Sequence, residues 1–323
     1  MQQREFDPEF DGRTVEEKKE FFRNRFTQWD GNHGAPIMRP AKEDSPEERK
    51  KEFDRLYGEG GFSYWGSNYF DGMFDRESND LIYEYWRDSV RKRIKDEAKA
   101  GILAPKTSPY PFGTKRVPLE QTYFEAYNYD HVDIIDIQKD PIQSITASGI
   151  QTKSGASCDL DVLIFATGFD AATGSLTQID IRGKEGKSLR EEWRTGAKTF
   201  LGMAMEGFPN LFALYGPQSP SGTCNGPVCA QLQGDWLVNL FEHMKTRGKK
   251  YVEAQHDATE EWSAHATSTL KGTLLEETNS YFFGDNIPGK PRQLVYYFGG
   301  VPAYKGKLDE VEKEKYKEFD LLP

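Results

Sequence analysis

Two glycine clusters, three cysteines and five histidines are the first places to look for chemistry in this chain of 323 residues. A dinucleotide site needs Gly-x-Gly-x-x-Gly between a strand and a helix, so that backbone N–H groups reach the pyrophosphate. The nearest run, Gly58-Glu-Gly60-Gly61-Phe-Ser63, lacks the third glycine at that spacing and follows a predicted helix. Gly183-Lys-Glu-Gly186-Lys-Ser188 ends like a phosphate loop but is too short between its glycines. After Cys224 and Cys229 the next histidine, His243, comes too late for a zinc pattern, and no Gly-x-Ser-x-Gly elbow occurs. His33 and His131 stand beside predicted loops and read as ordinary surface residues. Polar and aromatic groups remain. The loop from Gln218 to Asn225 holds Gln218, Ser219, Ser221, Thr223 and Asn225, all able to hydrogen-bond, in a ligand site or a plain polar turn. Tyr281, Phe282, Phe283, Tyr296, Tyr297 and Phe298 suit either a core or the wall of a cavity.

The elements that would position these groups fall into two regions. Thr14-Val-Glu-Glu17 is a capping box, and Ser45-Pro-Glu-Glu48 opens a second helix with Pro46 at its first position. The pattern predicts a long helix capped by Asn79, with Leu81, Ile82, Tyr85, Trp86, Val90 and Ile94 as its buried stripe and Gly101 as its stop. The period then shortens: 131–137, 142–152 and 160–167 read as short strands, the last a continuous apolar run buried on both faces. A strand at 211–215, helices at 227–245 and 257–271, an aromatic loop at 281–304 and a charged tail from Lys305 follow. Two domains are expected, a helical lobe over 1–105 and a mixed α/β lobe over 106–323 carrying the pocket.

Composition narrows the partners. The chain has 52 acidic and 42 basic residues, a net charge of −10, which disfavours nucleic acid and anionic membranes. No run approaches the roughly 18 apolar residues of a membrane span. Three cysteines make no disulfide framework, so a reducing, cytoplasmic setting is expected. A homodimer is expected to cover any large apolar face.

Tyr110-Pro-Phe-Gly-Thr-Lys115-Arg116, with Tyr123-Phe124 and Asn128 after it, resembles the active-site arginine segment of Baeyer–Villiger monooxygenases. Asp161-Val-Leu-Ile-Phe-Ala-Thr-Gly168-Phe-Asp170 is similar to the segment by which class B flavin monooxygenases return to their flavin domain. Gly216-Pro-Gln-Ser-Pro-Ser221 and Asn286-Ile-Pro-Gly-Lys290 look like two further segments of those enzymes, in the family's order. The resemblance implies an α+β fold: a helical lobe, then the back halves of a nicotinamide and a flavin domain, without complete Rossmann folds. In the family both glycine fingerprints, for FAD and for NADPH, and the FxGxxxHxxxWP signature precede these segments, and none of the three occurs here. The family also has tryptophan in the stretch where Tyr281 stands.

The resemblance makes Arg116 the first catalytic candidate, since the family's arginine stabilises negative charge during oxidation. An ion pair with Glu120 or Asp136 is the structural rival. Tyr123 is the second catalytic candidate. The loop residues Gln218, Ser219, Ser221, Thr223 and Asn225, with Tyr281, Phe283, Tyr296 and Phe298 as an apolar wall, are the expected binding set for a small hydrophobic substrate. Without the fingerprints, the expectation is an enzyme with no cofactor and no metal. It would be a non-redox cyclase or isomerase, of Diels–Alder type as the concrete case, acting in secondary metabolism by holding reacting ends together. The alternatives are a Baeyer–Villiger monooxygenase fragment that uses FAD and NADP with its missing half supplied in trans, and a non-catalytic binding protein.

Overall fold

The computed structural model describes residues 12–32, 34–222 and 224–323, so His33 and Thr223 lie outside it. Helix α1 (Val15–Asn24) starts at the expected capping box: Thr14 Oγ1 accepts from the Glu17 amide at 3.3 Å, and the Glu17 carboxylate accepts from the Thr14 amide at 2.7 Å. Helix α2 (Pro46–Glu59) repeats this with Ser45 and Glu48. Helix α3 (Arg76–Arg91) begins earlier than predicted, because Asp75 and not Asn79 caps it. Asn79 is instead buried, its amide bonded to the Gly72 and Phe112 carbonyls at 2.7 and 2.9 Å while its oxygen accepts from the Phe112 amide. Ile82, Tyr83 and Val90 form the buried stripe. A new helix, α4 (Glu97–Leu103), is capped by Asp96, so Gly101 sits inside a helix and stops nothing. The aromatic core of this region gathers Phe53, Tyr64, Tyr69, Tyr83 and Phe112 around Leu56 and Ile82.

Strands β1 (Ile142–Ile145), β2 (Gly149–Thr152) and β3 (Ser157–Asp159) form an antiparallel meander in which Ile150 pairs with both Ile145 and Cys158. Gly149 is obligatory there, since a Cβ would run into the Cys158 carbonyl oxygen. Three predicted strands are absent. Residues 131–137 and 160–167 have no strand pairing, and within 211–215 only Phe212 makes a bridge, to Ala204. The segment predicted to be buried on both faces is open instead: Val162, Ile164 and Phe165 are 72%, 81% and 69% exposed. Its apolar composition is legible, but a strand exists only where another strand satisfies its amides and carbonyls, and beyond Leu160, whose amide donates to the Ser148 carbonyl, no described residue pairs with the run.

Helices α5 (Gly226–Thr246), α6 (His256–Ser268) and α7 (Gly300–Lys313) and the antiparallel pair β4 (Tyr251–Ala254) and β5 (Phe319–Leu322) form the largest core. Trp236, Leu240, Val252, Trp262, Tyr304, Leu308, Tyr316 and Phe319 meet in it. The charged tail expected from Lys305 is therefore a packed helix and strand: its charges lie on the outer side, while Leu308, Val311 and Phe319 recur inward. The sulfurs of Cys224 and Cys229 lie against each other at the start of α5. The helix brings them together, with Cα atoms 7.0 Å apart. The α+β class stands. Among the described residues no helix is long and apolar enough to cross a membrane.

Candidate functional site

The backbone leading to Arg116 is held from three sides. Asn79 fixes Phe112, the Trp65 indole donates to the Gly113 carbonyl at 3.1 Å, and Thr278 Oγ1 donates to Thr114 Oγ1 at 2.9 Å. Gly113 has φ +84°, and a Cβ there would press on the Trp65 indole, so glycine permits this close approach. From that buried platform Arg116 projects outward. Its guanidinium carbon lies 4.7 Å from the centre of the Phe62 ring, a cation–π contact. Neither expected acid partner is available: Arg93 binds Glu120 at 2.8 Å, and Lys139 binds Asp136 at 3.2 Å. Arg116 makes no hydrogen bond or ion pair among the described residues, which leaves its planar donor fork for a ligand.

Two phenols feel that charge. Burial raises the pKa of both Tyr215 and Tyr281, and the positive charge of Arg116 pulls each back down. Tyr281 packs edge-on to Tyr296, which burial pushes well above the usual phenol range, and Tyr296 packs edge-on to Phe282. The arrangement is a guanidinium facing a wall of aromatic rings that carry phenols. Arg116 can present its oriented donors to one oxygen, whereas the Tyr215 hydroxyl is already spent on the Ser221 carbonyl. By sequence Tyr215 ends the run 211–215, which has the pattern of a strand and gives no sign of a site. The usable signal was its place directly before the Gly216-Pro217 turn, where it adopts φ +59° and donates its hydroxyl to the Ser221 carbonyl.

The other candidates are placed differently. Tyr123 lies on a surface turn (Tyr123–Ala126), where its hydroxyl accepts from Tyr127 at 2.9 Å. Gln218 and Ser219 are 1% and 0% exposed and spend their polar atoms on the framework. Gln218 Oε1 accepts from the Thr199 amide and from Ser263, and Ser219 Oγ donates to the Gly216 carbonyl. Ser221 is half-buried and serves through its backbone. Asn225 precedes α5 and its amide donates to Asn32 at 3.2 Å. Phe283 lies under Arg292, while Phe298 faces a separate cavity with Phe282. Thr223 lies outside the described residues.

Replacing Arg116 by alanine should raise the titration of Tyr215 and Tyr281, because a nearby cation stabilises phenolate. A pH titration of phenolate ultraviolet absorbance in both proteins reads this directly. Superimposable curves would remove Arg116 from the group.

No family model matches the chain. Among curated proteins it is 43% identical over 285 residues to cyclopentanone 1,2-monooxygenase of Comamonas sp. (strain NCIMB 9872), covering 88% of this chain and 52% of the relative. It is 37% identical over 300 residues to the FAD-binding monooxygenase VdtE of Byssochlamys spectabilis, again 52% of that protein. Among solved structures it resembles OTEMO in complex with FAD and NADP, with TM-score 0.88 and 36% identity over 95% of this chain and 56% of that one. These relatives define a class, the FAD-binding monooxygenases. Within it the chain is similar to Baeyer–Villiger monooxygenases and spans about half the length of the curated relatives it matches. The relatives are enzymes, and fungal FAD-binding monooxygenases are among them. They also correct the expectation of a cofactor-free protein, because the solved neighbours were captured with FAD and NADP.

Proposed function

We propose that the chain is the substrate-side half of a Baeyer–Villiger-type oxygenase that converts a hydrophobic ketone to an ester. The observation that carries this is Arg116: a guanidinium with no acid partner among the described residues, held against Phe62 and facing the Tyr215 and Tyr281 phenols. Similarity to cyclopentanone 1,2-monooxygenase over 88% of the chain supports it.

The residues present fit the sheet side of a flavin site and not its phosphate side. The open apolar run ends in Gly168, at φ +97°, where a Cβ would meet nothing within 4 Å, so the backbone there is approachable. Residues around Gly168 and Phe169 would lie against the cofactor, whereas its pyrophosphate needs a glycine loop that these residues do not contain. When bound, a flavin reduced by NADPH supplies the oxygen activation that side chains cannot. The chain's own groups then have two tasks. Arg116 directs planar, always-charged donors at the oxygen where negative charge accumulates. The rings of Tyr281 and Tyr296 seat the apolar part of the ketone.

The test supplies the dinucleotide-binding half of cyclopentanone 1,2-monooxygenase, fused or as a separate polypeptide, with FAD and NADPH. Ketone-dependent NADPH consumption and an ester product by mass spectrometry are expected. Flavin binding without any ester from a panel of cyclic and linear ketones overturns the reaction assigned here. The same preparation tests the open strand. Ile164→Asp should leave the melting of the chain alone unchanged, because Ile164 is solvent-exposed, yet prevent association with the added half by placing an unpaired charge in the contact. Light scattering that still shows the complex would place the contact elsewhere.

A further inference from the structure

A pocket whose wall does not include Arg116 holds a different kind of charge. It encloses about 180 Å³ between the helical region and the segment from Thr269 to Phe298. Trp29, Trp65, Phe70, Phe74, Phe282 and Phe298 bring aromatic rings to its wall. Among these rings sits Asp30, only 7% exposed. Its Oδ1 accepts from the Asn32 amide and its Oδ2 from Asn32 Nδ2, both at 2.8 Å. No Lys, Arg or His among the described residues comes within ion-pair distance of it.

Other polar side chains of the wall are already committed. The Asn68 side chain donates to the Tyr64 carbonyl and accepts from the Tyr69 amide. Thr269 and Thr273 donate to the Ala266 and Leu270 carbonyls. A carboxylate has about four acceptor positions, so Asp30 retains acceptor capacity after Asn32 is served. Oδ2 is also reachable. It faces Gly66, where a Cβ would stand 3.0 Å from it, and the missing side chain opens the carboxylate to the pocket. Burial raises the pKa of Asp30, as expected for an acid whose charge lacks a counterion.

We propose that this pocket binds a small organic ammonium, with its N–H donors on Asp30 and its apolar body against the aromatic wall. The chemistry selects that class. An acceptor-only group asks for a donor, a buried anion asks for a positive one, and the faces of tryptophan and phenylalanine attract cations directly. A metal ion would need more oxygen, nitrogen or sulfur ligands, and no group of His, Cys, Asp and Glu among the described residues could hold one. The inference stands apart from the oxidation assigned to Arg116.

Isothermal titration of the chain with 2-phenylethylammonium, and with 2-phenylethanol as its neutral counterpart, tests it. The ammonium should bind at least about tenfold more tightly than the alcohol. Asp30→Asn should erase that preference while keeping one acceptor for Asn32. Phe70 and Phe74 are partly exposed at the rim, so Phe70→Ala/Phe74→Ala should leave the fold intact and weaken ammonium binding severalfold. Thermal melts of each variant identify any loss through misfolding, and if Asp30→Asn does not fold, the rim variant decides alone. Equal affinity for the alcohol, no binding of the ammonium, or unchanged ammonium binding in either folded variant overturns the proposal.

Discussion

Arg116→Ala should lower turnover of the reconstituted oxygenase by about ten- to a thousandfold, the range expected when one oriented donor to a developing oxyanion is removed. The reason is geometric. The side chain projects from a rigid buried segment, has no acid partner among the described residues, and touches Phe62 through its face. It contributes little to the fold, so alanine should cost only about 0.5–1 kcal/mol of stability, the value of an exposed cation–π contact. Arg116→Lys should recover part of the rate, because an ammonium keeps the charge and loses the planar fork. The measurement is kcat and KM for ketone oxidation beside a denaturant melt of each variant. Full activity with a lowered melt would make the arginine structural, and the donor would then be sought at Tyr281.

Trp236→Ala should destabilise the protein by about 3–5 kcal/mol, the usual cost of emptying a buried tryptophan site. Trp236 is 4% exposed and joins three elements. Its indole N–H donates to the Leu308 carbonyl of α7 at 3.0 Å, and its ring packs at 5.3 Å from Tyr316 and 6.0 Å from Phe319, at the start of β5. Removing it leaves a cavity and takes from the Leu308 carbonyl, which lies inside α7, the bond it accepts beyond the helix ladder. Urea unfolding monitored by circular dichroism reads the loss. A change below about 1 kcal/mol would show that α5 and the terminal segment are held by other contacts, since a cavity of that size cannot be so cheap unless the site collapses.

Local chemistry made several features legible from residue order alone. The Thr14–Glu17 and Ser45–Glu48 capping boxes and the helices near 226–246 and 256–268 need only nearest neighbours, and they stand close to where the pattern put them. The family was legible too, because its words lie in order along the chain. Other features depended on partners distant in sequence. Asn79 looks like a cap and is instead a buried clamp on Phe112, because Asp75 takes the cap. The run 160–167 has every property of a buried strand except a neighbour to pair with. The loop from Gln218 reads as a row of ligand donors, yet Thr199 and Ser263 occupy Gln218 from within. For Arg116, residue order offered two acids, and only the fold shows that Arg93 and Lys139 hold them, leaving the guanidinium beside Tyr215 and Tyr281. Backbone capping is decided within one helical turn, whereas a charge's partner is decided by which surfaces pack together, and packing exists only in three dimensions.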